Sequence, residues 1–153
     1  MFRLLVVVAL GFALLALVLR LREHRLPALR ADPLRTPGVL NPDVTQANIR
    51  ATICKRGWTR TVRPPVAYTN ALKHRQMRLY HEPGPPSAYQ EDHLVSLELG
   101  GHPTDSRNLW PEPYPRASAV DEIENELNAR VCSGALTLAA AQVQEAALKH
   151  RDG

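Results

Sequence analysis

At 153 residues and a net charge of +4, the chain has room for one domain and an appendage, not for several domains. Its two cysteines, Cys54 and Cys132, are too far apart for any C-x-x-C metal or redox motif. The charge is uneven: six arginines against Glu23 and Asp32 in residues 1–39 account for the whole excess.

Residues 4–19, "LLVVVALGFALLALVL", are an unbroken apolar run flanked by Arg3 on one side and by Arg20, Arg22 and Arg25 on the other. The run is near the lower limit for spanning a bilayer as a helix. No A-x-A-like cleavage site follows it, so residues 1–25 read as an uncleaved signal anchor, with the membrane reached through residues 4–21; a removed signal is the alternative. The basic excess on the C-terminal side favours a cytoplasmic domain by the positive-inside tendency. The isolated, even pair of cysteines favours the opposite, a disulfide formed after export. Export is the preferred reading, with the domain anchored or secreted.

Residues 26–43, "LPALRADPLRTPGVLNPD", carry four prolines and little periodicity, and read as a linker before a domain over 44–153. The next segment, "VTQANIRATIC", reads as a short helix or strand. "GWTRTVRPP" reads as a short extended piece ended by Pro64 and Pro65. "YTNALKHRQMRLY" reads as a helix capped by Thr69 or Asn70, with apolar Leu72, Met77 and Leu79. A loop, "HEPGPPSAY", leads into a β-hairpin over "EDHLVSLELGGHPTDSRNLWPEP", turning at Gly100-Gly101. In the helix that follows, Val120, Ile123, Leu127 and Val131 make one apolar stripe. "SG" at 133–134 stops that helix, and Thr137 caps a last one with a basic C-terminal end. The fold expected is α+β: a small single domain with a hairpin-helix core and flanking helices, preceded by the hydrophobic segment.

Within the domain the charges are segregated. Eight Lys or Arg and no acid lie between Val44 and His81, whereas twelve acids and five bases follow from Glu82 onward. A basic half suits phosphates and an acidic half suits a cation. Neighbours on a regular strand face opposite ways, so Asp92 and His93 serve one site only where the strand ends or bulges. His93 is then the base near neutral pH, and Asp92 an oxygen ligand for a hard cation. Asn108, across the turn, would hold the imidazole by a side-chain hydrogen bond. Asp121 on the next helix is the second carboxylate, with Glu124 in reserve.

"EDHLVSLELGG" followed by "RNLWPEP" resembles the ββα-metal motif of HNH (His-Me finger) endonucleases. Together with "TICKRGWTRTVRPP", "LKHRQM" and "VCSG", it is similar to small, exported bacterial proteins of HNH-like type, over residues 41 to about 145. The resemblance implies a metal-dependent endonuclease, with His93 as general base, Asp92 as metal ligand and Asn108 as orienting residue. The sequence departs from the pattern at the helix, which has no histidine; position 117 is Ala. Asp121 there suits Mg²⁺ or Mn²⁺ better than Zn²⁺. Arg107, Arg63, Lys73 and Arg75 would hold the backbone of a nucleic acid, DNA ahead of RNA, with little sequence preference. The alternative is an exported binding domain that keeps the scaffold without turnover.

Overall fold

The structure, a computed structural model, describes residues 30–152. The expected helix over 4–21 lies outside these residues. Among the described ones, no helix is long and apolar enough to cross a membrane. Over the described residues the architecture is α+β: two helices, a two-stranded antiparallel sheet, then two more helices.

The linker reading fails over the part of 26–43 that is described. Ala31 and Thr36 are fully buried, the Ala31 N–H donates to the Lys149 carbonyl, and Leu40 makes a β-bridge with Gly101. Prolines keep this segment irregular, but irregular backbone satisfies its polar groups as well against a domain as in water. A short 3₁₀ turn follows at Gln46–Asn48, and Ile49 and Ile53 enter the core.

"GWTRTVRPP" is helical rather than extended: α1 spans Trp58–Val62. Gly57 enters it at φ +82°, a conformation that glycine adopts without cost, and Trp58 packs against the core. Arg63 leaves in an extended conformation because Pro64 follows it. The prolines do stop the element, but the element is a turn of helix. Helix α2, Val66–Tyr80, begins before Thr69 and Asn70, with Pro65 at its N-cap. A proline there costs nothing, since the first N–H groups of a helix have no intrahelical partner. Leu72, Gln76 and Met77 are buried on α2, whereas Leu79 is exposed.

Strands β1, Tyr89–His93, and β2, Leu109–Pro113, pair with His93 opposite Leu109 and Asp92 opposite Trp110. Their connection is longer than a turn at Gly100-Gly101. It contains two 3₁₀ turns, Leu97–Leu99 and Ser106–Asn108, and Gly100 at φ +75° ends the first of them. The Gly101 N–H returns to the Ser96 carbonyl.

Helix α3, Arg116–Ser133, buries Val120, Leu127 and Val131, with Ile123 partly covered, and Gly134 ends it in the left-handed region. That stripe meets Val44, Ile49, Ile53, Val95 and Leu99 in the main core, which Leu138 and Ala141 of the last helix complete. Helix α4, Leu138–Asp152, is capped by Thr137, whose hydroxyl accepts from the Ala140 N–H. Cys54 and Cys132 form the expected disulfide, with Cα atoms 5.5 Å apart, joining the segment before α1 to the end of α3.

Candidate functional site

The strand ends at His93, and this lets two adjacent side chains serve one cavity. Asp92 and His93 both line a polar, open cavity of about 330 Å³, together with Arg63, Gln90, Ser96, Asp121 and Glu124. Arg63 comes from the end of α1, and Asp121 and Glu124 come from successive turns of α3. Asp92 and His93 are nonetheless buried residues, 7% and 6% exposed.

A backbone carbonyl orients the imidazole. His93 Nε2 lies 3.1 Å from the Pro103 oxygen. A carbonyl only accepts, so Nε2 carries the hydrogen and Nδ1 is the basic nitrogen of the neutral ring. Burial pushes the His93 pKa below its ordinary value, while the Pro103 bond and the Asp92 charge oppose that shift. The neutral ring is therefore the form present at pH 7.

Asn108 does not perform the orienting task expected of it. Its Oδ1 accepts from the Val95 N–H at 3.0 Å, and its Nδ2 donates to the Val95 and His102 carbonyls, each at 3.0 Å. Both amide hydrogens are thus committed to backbone. The reason is register: Asn108 lies opposite Leu94, past the end of β1, where its own carbonyl takes the Leu94 N–H. It shapes the loop that carries Pro103 rather than the ring itself.

The acids meet a cation that the sequence reading missed. Lys149 of α4 is fully buried, and its Nζ donates to Asp92 Oδ2 at 2.6 Å, Glu124 Oε1 at 2.7 Å and the His93 carbonyl at 2.5 Å. A third carboxylate, Glu145, lies 3.6 Å away and accepts the Ser96 N–H through both oxygens. Burial pushes the Asp92 carboxyl up, but the Lys149 charge and hydrogen bonds from Glu112 and Lys149 hold it down at about 2. Glu112 goes the other way. Burial, and then its hydrogen bond with charged Asp92, push it up to about 9, so it is a neutral acid at pH 7. Glu124 and Glu145 are likewise raised, chiefly by burial; burial also works against the charge of Lys149, but Asp92 and the other acids around it outweigh that and hold the ammonium charged.

A divalent ion does not fit this arrangement. Asp92 and Glu124, two of the three ligands expected, each give an oxygen to the ammonium, and the other Asp92 oxygen accepts from Gln90 at 3.2 Å. Asp121, an exposed residue, lines the cavity but makes no contact with the ammonium among the described ion pairs. Among the described residues, no group of three or more His, Cys, Asp or Glu is placed to hold a metal.

Of the four cations expected to bind substrate, Arg63 alone lines this cavity. Lys73 donates to the Tyr89 carbonyl, and Arg75 lines a separate cavity of about 270 Å³ beside Tyr80. Arg107 pairs with Asp105 at 2.6 Å. The missed residues did leave a signal. Leu138, Ala141, Glu145 and Lys149 follow the spacing of a buried stripe, so an acid and a base occupied apolar positions of α4. No family model, curated protein or solved structure matches the chain.

Proposed function

We propose that this cavity hydrolyses phosphodiester bonds of nucleic acid, with His93 as general base. The observation that carries the reading is the imidazole fixed by the Pro103 carbonyl at the end of β1, beside Arg63 in an open polar cavity. His93 Nδ1 takes a proton from a water, and the resulting hydroxide adds to phosphorus. The ester P–O bond then breaks, and its electrons go to the leaving oxygen, which recovers a proton from the imidazolium or from solvent. Arg63 pairs with the phosphate oxygens as negative charge grows on them. Because Arg63 is the only one of the four expected cations at the cavity, the reading favours engagement of one phosphodiester over tracking of a long backbone. The hairpin-helix setting of Asp92 and His93 supports the HNH-like resemblance, and the disulfide supports an oxidising, extracytoplasmic location.

The test is plasmid nicking, with RNA as a parallel substrate, comparing the native protein with His93→Gln. Loss of about 10²-fold or more in rate is expected from removing the base. Equal rates in the two proteins would refute the assignment. A second reading, a binding domain without turnover, is favoured by the near-complete burial of Asp92 and His93. It predicts nucleic-acid or protein binding that His93→Gln leaves unchanged, and no nicking.

A further inference from the structure

We infer that Lys149 is the resident cation of this site, standing where the acids would otherwise gather a divalent metal ion. The argument begins with valence. An ammonium has three hydrogens, and Lys149 gives them to Asp92, Glu124 and the His93 carbonyl, at 2.5–2.7 Å. Those acceptors come from the end of β1 and from α3, the same hairpin and helix whose carboxylates were expected to share a metal. Glu145, at 3.6 Å, lies beside the ammonium without a hydrogen bond to it.

The cation is also built in from outside the hairpin-helix unit. It arrives on α4, with Ala141 and Glu145 buried on the same face, and it is itself fully buried. A side chain placed so deeply is not an occasional visitor to the carboxylates. Removing both acids from water is tolerable only with a permanent partner charge and satisfied hydrogen bonds, and Lys149 provides both.

The role follows from the geometry. All three hydrogens are spent, so Lys149 has none for a substrate and is a positioning residue. It fixes the carboxylate of Asp92 and, through the His93 carbonyl, the end of the strand that carries the imidazole. It also offsets the carboxylates of a cavity whose other cation is Arg63, which matters if a phosphate is to enter. That last consequence rests on the hydrolase reading above; the occupation of the acids by Lys149 does not.

The experiment therefore measures cation binding and not turnover. Full-length protein with its disulfide formed is titrated with Mn²⁺, and bound ion is followed by electron paramagnetic resonance. Thermal unfolding is recorded in parallel with EDTA and with Mn²⁺. The native protein is expected to bind no Mn²⁺ tighter than about 1 mM, and its unfolding temperature to be the same in both conditions. Stoichiometric binding that Asp92→Asn abolishes would overturn the inference. Lys149→Met empties the cation's place while keeping a long apolar stem, and is expected to bind Mn²⁺ at least about tenfold more tightly than the native protein. If the variant folds poorly, Mn²⁺ should restore its circular dichroism signature. A variant that neither gains affinity nor is restored by the ion would show that Lys149 occupies no cation site. Absent nicking with absent Mn²⁺ binding would sink the hydrolase reading alone, and Mn²⁺-dependent nicking by the native protein would sink this inference alone.

Discussion

Asn108 pairs with Val95 as though it were one more residue of the sheet. Its side-chain amide accepts the Val95 N–H and returns a hydrogen to the Val95 carbonyl, both at 3.0 Å. A carboxamide copies the peptide group, so it continues the ladder where the two strands have already parted. Replacing Asn108 with Ala strands the Val95 N–H and two carbonyls in a buried place. The expected cost is about 3 kcal/mol, taken from urea denaturation, since buried unpaired groups cost about 1–3 kcal/mol each before relaxation. A cost below that of an ordinary surface substitution would mean that the loop does not depend on this amide.

Gly101 sits where no side chain fits. A Cβ built on it would lie 1.7 Å from the Val95 carbonyl oxygen and 2.6 Å from Asn108 Nδ2, so backbone would have to move. Gly84 is the contrast, with φ +85° and open space around it. Gly101→Ala is expected to destabilise by about 3 kcal/mol, the upper range for overpacking. Gly84→Ala should cost only the left-handed penalty of about 1–2 kcal/mol. Thermal unfolding of the two variants checks the order, and the reverse order would refute the packing argument.

The Cys54–Cys132 bridge spans 78 residues of sequence, including α1, α2, the sheet and most of α3. Closing so long a loop limits the unfolded chain far more than the folded one. Replacing both cysteines with Ala is expected to lower stability by about 4–5 kcal/mol in the chain-entropy account. Comparison of denaturant midpoints for the oxidised, reduced and double-Ala proteins tests it. Reduced and double-Ala proteins should agree with each other, and coincidence of all three midpoints would show that the bridge contributes nothing.

Glu82 gives a pH dependence of definite sign. Burial raises its carboxyl from 4.5 to about 7 in the folded protein. Below pH 4.5 the group is neutral in both states, and its contribution to stability is fully present. As pH rises through about 7, the folded state must ionise a half-covered carboxyl, and that contribution is lost. After allowance for solvent screening, the loss is about 1 kcal/mol. Glu82→Gln should therefore match the native protein at pH 4 and exceed it in unfolding temperature at pH 8. An equal difference at both pH values would contradict the assignment.

What the sequence determined by itself were the features written in local chemistry. The 120–131 stripe, Gly134 and Thr137 fix α3 and α4, because side-chain periodicity and capping act within a few residues of chain. The isolated pair of cysteines sufficed for the bridge, whereas a shared cavity for Asp92 and His93 depended on the strand stopping at His93, which the structure supplies. Tertiary structure decided the rest. Five residues from Trp58 are too few for periodicity to speak, and α1 is helical because Trp58 has a core to enter. The Pro-rich residues after Arg30 look like a tether until Thr36, Leu40 and Asn41 find partners in the domain. The fate of Asp92 was the least legible. Read alone it is a metal ligand; its ammonium partner stands 57 positions away, on a helix whose stripe spacing marks Glu145 and Lys149 as buried without saying what they meet. Burial and pairing of charge depend on which elements pack together, and no local spacing encodes that a lysine from the last helix will reach the acids first.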